Sequence, residues 1–292
     1  MNIGAGWIIA FGCTIGGFLW LGGHIEQLWV PEEYLIIFGA GLGTLMASNK
    51  WRNLKSMFRA FLRIFLPSHG GRAANLGLLC LMFELLQRIK RDGALSIESD
   101  ISDPQQSELF AKYPTVLKSP RLIEFITDYF TMMMDGTVTL GQLESVMAQE
   151  IEVMNQEALE PSESISTLAD SMPAFGIVAA IIGVVHALTS IKTGIGPDII
   201  GDMIAQALVG TLLGVFAAYA MMLPVSRSME QLASADVKPY EAVKEILIAN
   251  YSNFSPMIAV EYGRKVMFTD QRPTMKELSE GVMATSGNKL TG

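Results

Sequence analysis

Of 292 residues, half are hydrophobic and 17% charged, and the net charge is −8. Soluble domains are about a quarter charged, so a mean hydropathy of +0.35 at this charge content points to a membrane protein and away from an ordinary soluble domain. The acidic balance argues against nucleic acid as a partner, because such binders carry a basic footprint.

Residues 3–22, "IGAGWIIAFGCTIGGFLWLG", hold no charge and meet the length of a membrane span. With no basic n-region and no small-x-small cleavage site, they read as an anchor rather than a removable signal peptide. The second predicted span, residues 34–49, is short by itself; counted from Val30 it leaves Pro31, Glu32 and Glu33 at the interface. Residues 51–66 interleave Arg52, Lys55, Arg59 and Arg63 with Trp51, Leu54, Phe58 and Phe61, a basic amphipathic helix suited to the lipid headgroup plane. The oily run 73–83 is too short to cross and reads as the buried face of a soluble helix. Residues 171–191, between Asp170 and Lys192, form the third span, and residues 203–226, between Asp202 and Arg227, the fourth. From Thr285 onward the chain reads as a disordered tail.

Lysine and arginine favour the cytoplasmic side. The link 23–33 has neither and the link 192–202 has only Lys192, whereas Lys50, Arg52, Lys55, Arg59 and Arg63 follow the second span. The expected fold is therefore all-α, a polytopic membrane protein with four transmembrane helices, a helical cytoplasmic domain and both termini in the cytoplasm. The expected segments are 1–49 (two spans with a short periplasmic loop), 50–170 (the interfacial helix and a large cytoplasmic domain), 171–226 (two spans) and 227–292 (a cytoplasmic C-terminal domain).

Oily side chains give helices no net drive to associate in lipid, whereas small residues let backbones approach. Each span has such residues four apart: Gly12 and Gly16; Gly39 and Gly43; Gly176 and Ala180 with Ala179 and Gly183; and Gly210, Gly214 and Ala218. "GAGLG" at 39–43 lies inside an oily span, so it reads as packing rather than a dinucleotide fingerprint. The chain lacks GxxxxGK[ST], HExxH and GxSxG, which leaves no ATPase, protease or esterase reading and no enzyme class to propose. Cys13 and Cys80 read as small buried hydrophobes, and His24, His69 and His186 are too scattered to argue a metal site. An ion carrier normally needs an intramembrane ionisable group, yet no Asp, Glu, Lys or Arg falls within the four predicted oily cores. His186 and Thr211 are the polar candidates there; the bland alternative for His186 is a neutral imidazole hydrogen-bonded to a neighbouring helix near the outer interface, and for Thr211 a hydroxyl bonded to its own i−4 carbonyl. Either the protein transports nothing, or a partner's helix supplies the acid.

The stretches "DSMPAFGIVAAIIGVVHAL", "IAQALVGTLLGVFAAY…LP" and "SPMIAVEYGRKVMFTDQRPTMKEL" resemble the MotA family of flagellar stator proteins, in the wider MotA/TolQ/ExbB class, almost from end to end. The resemblance implies a pentamer in the bacterial inner membrane around a dimer of a MotB-type single-span subunit, whose aspartate carries the ion and which anchors to peptidoglycan. Ion flow would then drive the stator against the rotor's switch-ring protein, with no metal and no cofactor beyond the ion. By matching motif, Pro173 at the mouth of span three and Pro224 near the inner end of span four correspond to coupling prolines. Thr211 matches a pore-facing threonine, and Ala180 lies on the matching pore face. "RIKRDGALSIESDISDP" matches the rotor-contact region: Glu98 directly, the positive contact as Lys90 or Arg91, and Glu150 as a weaker candidate. Overall length and the extended inner domain resemble proton-type more than sodium-type stators. The competing readings are an ExbB/TolQ-like energy-transducing component and a membrane scaffold that conducts nothing.

Overall fold

The computed structural model describes residues 3–66, 71–193 and 195–287; His69 and residues 288–292 of the expected tail lie outside them. Among the described residues the structure is helical, without strands. In chain order the helices are α1 (Ile3–Trp20), α2 (Pro31–Ser48), α3 (Trp51–Phe65), α4 (Arg72–Asp92), α5 (Glu98–Ser102), α6 (Glu108–Ala111), α7 (Pro114–Leu117), α8 (Pro120–Met134), α9 (Leu140–Ser190), α10 (Pro197–Phe216), α11 (Leu223–Tyr251), α12 (Pro256–Val266) and α13 (Met275–Gly287). A π-helical turn, Ala217–Met222, joins α10 to α11. Among the described residues, three stretches are long and apolar enough to cross a membrane: α1, α9 and the run Pro197–Tyr251. α2 opens on Pro31, Glu32 and Glu33 and is not one of them.

The chain forms two compact units, one from Met1–Leu66 with Leu159–Leu232 and the other from Pro67–Ala158 with Ala233–Gly292. In the first unit α1 buries no residue. It is held by Trp7, tilted against Phe65 at 6.4 Å, and by Phe11, edge-on to Phe216 at 4.8 Å. α2 buries Glu33, Ile37, Gly41 and Leu45, one residue per helical turn on a single face. α3 forms the predicted amphipathic helix, with Ile64 packed against Ile165, Val225 and Met229 and its charged side outward. Polar ties are short: Ser226 Oγ donates to the Ser162 carbonyl at 2.8 Å, and Ser164 Oγ to Asn49 Oδ1 at 2.7 Å.

In the second unit the oily run is more deeply placed than a one-faced helix. Residues 78–86 of α4 are buried on every side, the pattern of a central core helix. Around it lie Phe110, Phe125, Phe130, Ile246 and Leu278, all fully enclosed. At about 1.5–3 kcal/mol per buried large apolar side chain, this cluster is the unit's main source of stability. The one acid inside α4's buried stretch, Glu84, is satisfied by Lys112 Nζ and the Tyr113 hydroxyl, both at 2.9 Å. Burial, and then Glu84, push the Cys80 thiol up to about 11. Cys80 thus stays a protonated, unreactive hydrophobe.

Pro173, at the mouth of the expected third span, lies inside a longer helix: α9 begins at Leu140 and runs unbroken through Pro161 and Pro173. The small-residue pairs of the first two spans, Gly12 with Gly16 and Gly39 with Gly43, have nothing within 4 Å of the position a β-carbon would take. In α2 it is Gly41 that packs, with Leu168 Cδ1 at 3.1 Å from that position.

Candidate functional site

The close packing predicted from small residues is concentrated between α9 and α10. A β-carbon on Gly214 would stand 2.7 Å from the Met172 carbonyl oxygen and 2.8 Å from Gly176 Cα. One on Gly176 would stand 2.7 Å from the Gly210 carbonyl oxygen. The two backbones therefore touch, gaining dispersion contacts that any side chain would prevent. One turn further along α9 the contact continues through Ala179, whose Cβ lies 3.2 Å from the Gly210 position, and then Gly183 against Ala207. Ala180 is buried beside Ala179, and Thr211, next to Gly210, is half-buried. The crossing thus brings Ala180 and Thr211 to one level of the helix pair. His186 is exposed, and its carbonyl accepts from Thr189 and Ser190.

The two prolines flank this contact, Pro173 before it in α9 and Pro224 beyond the end of α10. Pro173 is half-buried inside α9, where proline removes one i→i−4 bond and crowds the carbonyl it would have served. Pro224 is the second residue of α11, directly after the π-helical turn. A π turn closes i→i+5 bonds and is frequently found at functional positions. Pro224 also lines a cavity of about 670 Å³ with Trp7, Tyr219 and Arg227.

Against expectation, an acid does lie within this packing. Glu33, in the first turn of α2, is only 4% exposed. Its Oε2 is 2.6 Å from the β-carbon position of Gly210, and its Oε1 is 3.7 Å from that of Gly183. Oε2 is buried with no hydrogen-bond partner. Hydropathy alone missed it, because a glutamate two residues into an oily helix reads as an end. The available signal was a pair of glycines, at 183 and 210, on two other helices.

In the second unit α4 ends at Gly93, whose φ of +87° suits glycine. A 3-10 turn, Ala94–Ile97, then leads into α5. This turn brings Lys90 and Arg91, in the last turn of α4, near in sequence to Glu98, the first residue of α5, and all three are exposed. Their availability differs. Arg91 is engaged in a forked ion pair with Asp92 at 2.6 Å, whereas Lys90 and Glu98 make no ion pair among the described residues. Arg88, the first residue of the matched stretch, is turned inward to Asp100 at 2.5 Å. Glu150 is half-buried and accepts the Tyr129 hydroxyl at 2.6 Å. Burial, and then that bond, push the Tyr129 phenol above its ordinary range.

The block "GRKVMF…RP" proves architectural. A β-carbon on Gly263 would strike Ile246 and the Ala242 carbonyl oxygen, 2.7 Å away. Arg264 donates to both carboxylate oxygens of Glu261 at 2.6 Å and to the Pro273 carbonyl at 2.8 Å. Arg272 donates to the Met267 and Lys265 carbonyls at the end of α12.

Residues 4–93 match the family model described as motility protein A N-terminal, and residues 122–242 match that of the MotA/TolQ/ExbB proton channel family. Motility protein A of Salmonella typhimurium (strain LT2) is 37% identical over 284 residues, covering 97% of this chain and 96% of its own length. The chain belongs to the motility protein A family. Motility protein A of Escherichia coli K12 gives the same identity and coverage. The solved structure described as C. jejuni MotAB shares the fold, with a TM-score of 0.70 at 19% identity over 94% of this chain and 98% of that one. The motility protein A family thus places the chain among membrane channel subunits rather than enzymes.

Proposed function

We propose that this chain is a stator subunit of the flagellar motor. In this reading it crosses the bacterial inner membrane four times, with α2 as the second span and both termini in the cytoplasm. Five copies surround two MotB-type partner helices, and a proton passing by the partner's aspartate drives torque on the switch ring. The observation that carries it is the end-to-end identity to motility protein A, 37% over 97% of the chain. The uncovered apolar faces support the assembly: Ile177, Ile181, Val185 and Leu188 of α9 are exposed, as are Leu208 and Leu212 of α10. The same end-to-end match favours a stator over an ExbB/TolQ-type transducer. A deletion strain that still assembles flagella but does not swim is the expected result; normal swimming would reject the proposal.

The residues take these roles. Ala180 and Thr211 stand on the wall facing the partner's acid. Pro173 and Pro224 are coupling points, and the cavity beside Pro224 gives that helix room to shift. One charge crossing the membrane supplies ~2.3 kcal/mol per 100 mV, enough to bias a two-state helix arrangement by more than tenfold. No covalent chemistry and no cofactor beyond the ion is needed. Lys90 and Glu98 are the rotor contacts with unpaired charge, Arg91 adds positive field beside Lys90, and Glu150 has a more internal place.

At a transient interface, complementary charge governs encounter and register more than affinity. Reversing Lys90, Arg91 and Glu98 together (Lys90→Glu, Arg91→Glu, Glu98→Lys) is therefore expected to abolish or greatly slow swimming while membrane insertion persists. Unaltered swimming would remove these residues from the rotor contact. The ion is tested separately: swimming speed should track the proton gradient and ignore external sodium, and a collapse in sodium-free medium would reassign the ion.

A further inference from the structure

A buried carboxylate needs charge partners or hydrogen bonds, or it takes up a proton. Glu33 has neither for Oε2, and it is 4% exposed. Gly183 of α9 and Gly210 of α10 lie against it, with Ala207 and Ala179 packed at the same two positions, and none of the four carries a titratable group. The titratable groups next along those helices are His186 and Asp202, both exposed; Glu32 on its own helix and His24 and Glu26 in the preceding loop are exposed too. The location is specific. A side chain at Gly210 would displace the Glu33 carboxyl, so that glycine leaves the space it fills, while Gly183, packed on Ala207, lies in ordinary contact with the other carboxylate oxygen. Thr211, next to Gly210, and Ala180, next to Ala179, stand on the wall assigned to the ion's path. Two influences oppose at the carboxyl: enclosure by apolar atoms disfavours charge, while the first turn of α2 favours it.

We propose that Glu33 is a proton-binding station that this chain itself contributes to the ion pathway, in the seam between α9 and α10. The inference rests on the stator reading above. The step is a proton transfer: an O–H bond forms at a Glu33 carboxylate oxygen as a water-borne donor gives up its proton, and the reverse transfer returns the carboxylate. The partner's aspartate is then not the only titrating group, and the α9–α10 contact becomes sensitive to the charge on Glu33.

The test uses the complete complex with its partner subunit, reconstituted in lipid and labelled at the glutamate carboxyl carbons. Infrared difference spectra between acidic and neutral pH should show a carboxylic C=O band that shifts with the label and disappears in Glu33→Gln. In cells, Glu33→Gln should at least halve swimming speed, and Glu33→Asp should restore part of it with a displaced dependence on external pH. A labelled band that persists in Glu33→Gln, or a Glu33→Gln speed–pH curve that superimposes on the wild type, overturns the proposal. Should Glu33→Gln fail to insert, the wild-type spectrum decides alone, and absence of any labelled band is then fatal. If the deletion strain is non-motile and the band is absent, this inference fails and the stator reading stands. If the deletion strain swims, the stator reading fails whatever the spectrum shows.

Discussion

Gly214→Val is expected to eliminate torque, and Gly214→Ala to reduce it sharply, with the protein still reaching the membrane. The atoms a new β-carbon would meet at 2.7 and 2.8 Å are the Met172 carbonyl oxygen and Gly176 Cα, both backbone. Backbone cannot move aside by changing rotamer, so α9 and α10 must part. Overpacking of this kind costs about 1–3 kcal/mol, comparable to the free energy that one ion delivers per 100 mV. It would also carry the walls at Ala180 and Thr211 away from each other. The comparison is Gly201→Ala, at an exposed position on α10 with nothing within 4 Å, which should swim normally. Wild-type swimming in Gly214→Val would show that the touching backbones are dispensable.

The second large effect belongs to Glu261→Gln. Arg264 has a side chain only 9% exposed, and its guanidinium depends on the Glu261 carboxylate. Replacing that carboxylate leaves an enclosed cation short of a counter-charge, a loss of roughly 1–3 kcal/mol. For a chain this size that lowers the melting temperature by about 2–4 °C per kcal/mol. The forked bond from Arg264 holds the Glu261 carboxyl below its usual range. A lowered folded-state value means the stabilisation is fully present above the ordinary glutamate range, about pH 4.3. It is lost as pH falls through the folded value. Thermal denaturation should therefore show a gap between wild type and Glu261→Gln at neutral pH that closes in acid. A gap independent of pH would mean the pair is not the source.

How far the sequence could be read depended on whether a feature was local. The span reading at Ile3–Trp20 and the core role of residues 78–86 follow from runs of apolar residues, and both stand out in the helices that form. Touching helices at Gly176, Gly210 and Gly214 follow from spacing within each span. The open faces at Gly12, Gly16, Gly39 and Gly43 show the limit of that signal: spacing permits contact but names no partner. Pro173 stands after 33 residues of helix, from Leu140 to Met172, although a local rule favours proline at a helix start. Propensity yields here to a long, packed helix. Glu33 was invisible for the opposite reason, since its burial depends on glycines about 150 and 180 residues further along the chain. At the cluster of Lys90, Arg91 and Glu98, charge was legible but pairing was not: Arg91 is taken by its own neighbour Asp92, leaving Lys90 exposed without an ion-pair partner among the described residues.

The π-helical turn before Pro224 has a consequence for length. Each bond there spans one residue more than in an α-helix, so Ala217–Met222 stores slack that the flanking helices lack. A single deletion inside that turn can be absorbed by tightening to ordinary α geometry, leaving both flanks facing as before. The same deletion in α10 would swing everything after it by about 100° around the axis. Within the run Pro197–Tyr251, the stretch just before the proline is therefore where the chain can be shortened by one without turning its faces.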